Sequence, residues 1–307
     1  MLFRSRALQT QVTKCFVATD YSKRLAKRMG LRESQIVVHG LPIRPIFSKP
    51  LPAKPALRRA LGLEPDTPAV LLVGGGEGMG ALEATVDELA ARLGGRCQVA
   101  VICGRNAKLL ASLTARGRPN GMKLVPCGFV DNIHEWMAAS DVIITKAGPG
   151  TIAEALISGL PVLLNGNIPC QEEGNIPYVL DNKARGVVGL IPPSAAPPSL
   201  SRARAPGRGE GSAGLARPRP AAPSDAARRR PALAPPSLSR DHPQVGAFET
   251  KPARIAAILQ RWLSEGRGEL AAMAARSRAL GKPQAVYNIA RDLVALTDGK
   301  QPVAVPA

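Results

Sequence analysis

The sequence lacks any apolar run long enough to span a membrane, and at 45% hydrophobic residues a soluble core is expected. Cysteine is sparse: Cys15, Cys97, Cys103, Cys127 and Cys170 are scattered, odd in number and without metal-type spacing. That argues against a zinc site or a disulfide framework and fits a reduced compartment, with most of these thiols serving as small core residues. Only three histidines are present, and none reads as a general base. His39 ends a strand, His134 starts a surface helix, and His242 lies in a low-complexity stretch. There is no Asp-x-Asp pair to chelate a cation beside a diphosphate, and no Gly-Lys-Ser/Thr ending of a P-loop. No metal and no organic cofactor is expected. The first ten residues hold two arginines and no acid but run straight into domain sequence, too short for a transit peptide.

What is present begins with Lys146-Ala-Gly-Pro-Gly-Thr151. Ala139 to Thr145 reads as a short buried strand, and Thr151 to Ser158 has helical spacing that stops at Gly159. Two glycines and a proline therefore sit where a strand meets a helix N-terminus. That geometry aims free backbone N–H groups and the positive end of a helix dipole at one spot. Pro149 costs little there, since the first turn has no N–H partner to lose. The spot suits a phosphate or diphosphate, with Glu154 in reach of sugar hydroxyls; a tight turn capping a buried strand is the plainer alternative.

A second glycine-rich loop shifts the balance. Ala69 to Val73 is a continuous apolar strand, Gly74-Gly-Gly-Glu-Gly-Met-Gly80 follows at once, and a helix starts near Leu82. No acidic residue closes a strand about twenty positions on, so this is not the dinucleotide fingerprint. The loop instead offers flexible backbone that can approach an anionic or sugar ligand closely. Gln98 to Cys103, Met122 to Pro126 and Leu160 to Leu164 read as further strands, each followed by a turn and a helix or, after Leu164, the polar loop Asn165 to Asn175. Strands alternating with helices predict an α/β fold with a doubly wound parallel sheet, whose ligands sit over the carboxyl ends of strands. The Gln171-Glu-Glu-Gly-Asn175 segment lies on that rim with amide and carboxylate groups suited to hydroxyls; an ordinary acidic helix start is the alternative reading.

Gly74 to Gly80, Val101-Ile-Cys-Gly-Arg-Asn106, Gly128-Phe-Val130, Ile144 to Ala155 and Gln171 to Val179 fall in one order. In that order the chain resembles the monogalactosyldiacylglycerol synthases, the galactolipid-making glycosyltransferases of plant and algal plastids. Their wider group, glycosyltransferase family 28, includes the bacterial transferase that makes lipid II and has the two-domain GT-B fold. The resemblance covers roughly residues 12 to 190 and resumes weakly after 246. It implies a C-terminal Rossmann-like domain that binds UDP-galactose, and an N-terminal domain that binds diacylglycerol and supplies the base. Here only the tail of that first domain is expected, so the catalytic base is unassigned.

By the same resemblance, Glu154 binds the uridine ribose, and Gly128, Phe129 and Val130 present backbone to the uracil. Gly148, Gly150 and Thr151 hold the diphosphate. Gln171 and Glu172 face galactose hydroxyls, with Asn175 in the same loop. Gly76, Gly78 and Gly80 border the cleft where donor and acceptor meet. Lys146 and Arg105 either assist the leaving group or are solvated surface charges.

The expected organisation is a remnant of the acceptor domain with its link at 1–50, a UDP-sugar-binding domain at 51–191, an insertion at 192–245 and helices completing the donor domain at 246–307. The formal charge of +18 lies partly in the insertion, a Pro/Ala/Ser/Arg-rich segment expected to be disordered. Its arginines suit RNA or anionic lipid, but a solvated spacer is the plainer reading; a mistranslated intron would have the same composition. Lys251 to Leu263, Glu269 to Leu280 and Ala285 to Leu296 read as helices, the last expected to leave an apolar face without a partner. The function implied is inverting transfer of galactose from UDP-galactose to 1,2-diacylglycerol, peripheral to the chloroplast envelope and near anionic membrane lipids, with no nucleic acid. The alternative is a non-catalytic nucleotide-sugar-binding half that needs a separate or missing acceptor domain.

Overall fold

In the computed structural model, residues 10–74, 81–180 and 245–298 are described. They belong to one compact unit that runs through residue 185 and resumes at 241. The expected insertion, apart from Val245, and the loop carrying Gly76, Gly78 and Gly80 lie outside the described residues.

The chain enters through a small βαβ unit: β1 (Cys15–Val17), α1 (Asp20–Arg28) and β2 (Ile36–Val38), the two strands pairing in parallel. Thr19 caps α1, its hydroxyl accepting from the Ser22 amide at 3.1 Å. After α2 (Lys54–Ala60) the main sheet begins with β3 (Ala69–Val73) and continues through α3 (Leu82–Leu93), β4 (Gln98–Ile102), α4 (Ala107–Ala115), β5 (Lys123–Cys127), α5 (Ile133–Ala139), β6 (Val142–Lys146), α6 (Pro149–Ile157) and β7 (Val162–Gly166). The short α7 (Ile176–Leu180) follows. Beyond the undescribed stretch come β8 (Gly246–Phe248), α8 (Pro252–Ser264), α9 (Arg267–Leu280) and α10 (Ala285–Thr297).

The main sheet has six strands in the order β5-β4-β3-β6-β7-β8, and every pair is parallel. Parallel strands need crossovers on both faces, and that is why β3 and β4 are buried along their whole length and read as unbroken apolar runs. Their side chains alternate between two cores. Val70, Leu72, Val99 and Val101 join α3, α4 and α8 on one face, centred on Trp262. Leu71, Val73, Ala100 and Ile102 join α2, α5 and α6 on the other, with Trp136 and Ile152. Pro126, which cannot donate to a ladder, is confined to the edge strand β5.

Two elements differ from expectation. The strand β8 carries no apolar run of its own. Gly246 lets it approach β7 so closely that a Cβ there would strike the Val162 carbonyl. His134 is buried rather than on a surface helix, edge-on to the Phe47 ring at a centroid distance of 5.9 Å. The last helix is tied to the end of β2 where His39 Nε2 meets Asp292 Oδ2 at 2.7 Å, yet it leaves an apolar face uncovered as expected. Tyr287, Leu293 and Val294 on the same helix remain exposed.

Candidate functional site

Strand order reverses between β3 and β6, which pair through Val70–Val142 to Val73–Thr145. In an open parallel sheet such a switch point opens a crevice at the carboxyl ends, because the flanking connections leave to opposite sides. Both glycine-rich turns leave the sheet there: the loop after Val73 and the turn after Lys146.

The turn is built by its sequence. Gly148 is the N-cap of α6 and Pro149 the first helical residue, and no side chain caps this end. The first-turn amides of α6 thus have no side-chain cap, at an end where the helix dipole favours negative charge. Gly148 has ordinary negative φ, so its role is space: a Cβ would lie 3.2 Å from Lys146 Nζ and 3.6 Å from Glu172 Oε1. At Gly150 nothing stands within 4 Å of a Cβ position, so that side of the turn is open.

Of the other candidate segments, the Gln171 loop contacts this turn directly, while Gly128, Phe129 and Arg105 meet one another at the ends of β4 and β5. Gly128 lies against the turn after β4, a Cβ there coming 3.8 Å from the Gly104 carbonyl. On the same rim the Arg105 guanidinium sits over the Phe129 ring at 5.8 Å, and that ring is 68% exposed. Asn175 Nδ2 donates to the Ala147 carbonyl at 2.9 Å, fixing the Gln171 loop to the turn. Lys146 Nζ pairs with Glu172 Oε1, while Glu172 Oε2 accepts the Ile168 amide at 2.9 Å. The Glu172 carboxylate is therefore buried and engaged at both oxygens, and Gln171 is exposed.

Arg44 is the residue that the sequence reading missed. It comes from the link Leu41-Pro-Ile-Arg-Pro45, donates from Nη1 to the Asp131 carbonyl at 3.3 Å, and places Nη2 3.8 Å from Glu154 Oε1. Its guanidinium also lies 5.4 Å from the Phe47 ring centre. One side chain thus joins the loop beyond Val130 to the Glu154 carboxylate. The only signal in the sequence was a lone cation within an apolar, proline-flanked link. Glu154 is largely shielded, its side chain 18% exposed, and burial raises its pKa above the ordinary carboxylate value, with Arg44 pulling it back.

The site as a whole offers uncapped backbone amides, a shielded carboxylate one turn further along the same helix, and a rim of amide and aromatic groups. Among the described residues, no group of three or more His, Cys, Asp or Glu could hold a metal ion. The buried thiols Cys97 and Cys103 flank β4 at its two ends, with burial pushing Cys97 up to about 12.

Residues 69–174 match the glycosyltransferase family 28 C-terminal domain. Against monogalactosyldiacylglycerol synthase 1, chloroplastic, of Arabidopsis thaliana, identity is 37% over 289 residues, covering 92% of this chain and 42% of that protein. Against the Spinacia oleracea monogalactosyldiacylglycerol synthase it is 49% over 177 residues, covering 56% and 34% respectively. The chain is a homologue of the monogalactosyldiacylglycerol synthases. It spans about two fifths of the length of the first curated relatives it matches. Among solved structures, the S. aureus MnaA–UDP complex superposes with TM-score 0.55 at 12% identity, over 96% of this chain and 64% of that one. WaaG, a glycosyltransferase of lipopolysaccharide biosynthesis, gives 0.50 at 16% identity, over 96% and 65%. At such identities the likeness concerns the fold, a Rossmann-like parallel sheet of GT-B type.

Proposed function

We propose that this chain binds UDP-galactose over the switch point of its sheet and serves galactolipid synthesis, in which galactose passes to 1,2-diacylglycerol with inversion. The observation that carries this reading is the uncapped N-terminus of α6 at the switch point, with Glu154 on the same helix and Arg44 joining it to the loop beyond Val130. A nucleoside diphosphate sugar needs those groups in that order: anion-binding amides, a carboxylate for ribose hydroxyls and backbone for the base. In the transfer, the bond from the anomeric carbon to the UDP oxygen breaks as an acceptor hydroxyl oxygen attacks from the opposite face. The hydroxyl proton passes to a base, which we do not place on this chain, and UDP leaves with the bonding pair. Charge developing on that leaving group meets the helix dipole and the free amides of Gly150 and Thr151, fixed before reaction and so without reorganisation cost. Gln171 serves the hexose hydroxyls. The names of the chloroplastic monogalactosyldiacylglycerol synthases this chain resembles support diacylglycerol as acceptor and a chloroplast location; anionic lipids as neighbours and a peripheral place on the envelope complete the proposal. No described helix is long and apolar enough to cross a membrane.

Titration calorimetry of the purified chain with UDP tests the reading. Saturable one-to-one binding is the expected result. A folded sample that takes up no UDP would remove the proposal.

A further inference from the structure

Positive charge is unevenly placed along the described residues. Residues 10–60 hold eleven Lys or Arg against two acids, Asp20 and Glu33, while residues 81–180, which build the donor site, hold eight against nine. Six of the eleven belong to one small surface made by α1 and the turn Glu33–Gln35 after it. Lys23 and Lys27 both pair with Glu33. Lys14 Nζ donates to the Ser34 carbonyl at 2.7 Å, and Arg32 Nε donates to Gln35 Oε1 at 3.2 Å. Hydrogen bonds from Lys23 and then Lys27 hold the Glu33 carboxyl down at about 2, so this acid is charged and the cluster still keeps a cationic excess. Arg24, Lys27 and Arg28 are exposed along α1, and Leu25 is exposed beside them.

Lys27 and Arg28 suit the carboxyl end of α1, where the helix dipole favours cations. That does not account for Lys14 and Arg32, which lie outside the helix, or for Lys23 and Arg24, which sit in its middle. No aromatic ring within residues 10–35 is exposed, so a nucleic acid would find charge here but no stacking platform. A leucine set among cations instead matches the boundary between lipid headgroups and acyl chains. We infer that this face of α1, with the turn after it, is the surface by which the chain docks on a bilayer of anionic lipid. The inference rests on the peripheral-membrane reading given above and adds an orientation to it. The bilayer meets the N-terminal βαβ unit, while the near-neutral donor domain is not drawn to the surface. Nucleotide binding and membrane docking are then independent of one another.

The test is flotation of the whole chain with vesicles of phosphatidylcholine, alone or with phosphatidylglycerol, for the wild type, Arg24→Gln/Arg28→Gln and Arg24→Lys/Arg28→Lys. Wild type should float with the anionic vesicles only, and release as salt is raised. Each cation near an anionic surface strengthens attraction roughly fivefold, so the glutamine pair should weaken partition about tenfold or more while the lysine pair matches wild type. UDP affinity should be unchanged in both. Should the glutamine pair fail to fold, Arg28→Gln alone carries the test with a loss of about fivefold. Undiminished flotation of the glutamine pair, with loss on deleting residues 192–244, would move the surface to that arginine-rich segment and overturn the inference while leaving the peripheral reading intact. Binding of a single-stranded RNA oligonucleotide in place of vesicles, lost in the glutamine pair, would overturn it as well. A wild-type chain that floats with neither vesicle would sink the peripheral reading itself, and this surface with it.

Discussion

Replacing Glu154 by glutamine separates what this carboxylate does for the fold from what it does for a ligand. The residue is shielded, its one described ionic partner is Arg44 at 3.8 Å, and that guanidinium is itself half exposed. Burial outweighs Arg44, so the pKa in the folded chain stands above the value of 4.5 expected for a free glutamate. The stability tied to the neutral form is fully present below that ordinary value and is lost as pH rises through the raised one. Near neutral pH the charged form therefore weakens the empty protein, and glutamine, which carries no charge, removes the penalty. The melting temperature of Glu154→Gln should match wild type in acid and exceed it at about pH 7–8. Nucleotide binding should move the other way. A charged hydrogen bond to ribose hydroxyls contributes about 1.5–3 kcal/mol, so UDP affinity should fall roughly 10- to 150-fold. Pyrophosphate, which has no ribose, should bind both proteins alike. Scanning calorimetry across pH and titration calorimetry with the two ligands measure all of this. A variant that melts lower than wild type at neutral pH, or loses pyrophosphate as severely as UDP, would refute the reasoning.

Two further substitutions probe the frame around the site. Gly246→Ala would drive a methyl into the Val162 carbonyl and against Val179; overpacking of this kind costs about 1–3 kcal/mol or more, and amide exchange at Glu249, which donates to Leu164 at 2.9 Å, should accelerate sharply. Protection unchanged from wild type would mean that β8 tolerates a side chain there. Asp292→Ala removes the 2.7 Å partner of His39 from a nearly buried pair; losing about 1.5–3 kcal/mol should lower the melting temperature by roughly 3–12 °C. An unchanged melting temperature would show that α10 is held by other contacts.

Much of this molecule was legible in one dimension. Ala69 to Val73 could be read as a buried strand because a strand covered by helices on both faces has no polar side to present. The Lys146–Thr151 turn was legible because proline and glycine restrict the backbone locally, and Pro149 begins the helix where its missing N–H costs nothing. Local patterns of this sort fix element type and order, and with them the parallel sheet. Features that join distant segments were not legible. The strand β8 is three residues long with no periodicity to declare it, and it exists because β7 offers an unpaired edge that Gly246 can approach. His134 reads as a surface residue on its own helix, yet Phe47 from the link covers it. Arg44 and Glu154 are 110 positions apart, and Lys146 at the end of β6 pairs with Glu172 in the loop after β7. Sequence thus determined which groups line the carboxyl ends of the strands. Only the tertiary structure decided which of those charges face one another, because burial and pairing arise when the chain brings remote segments together.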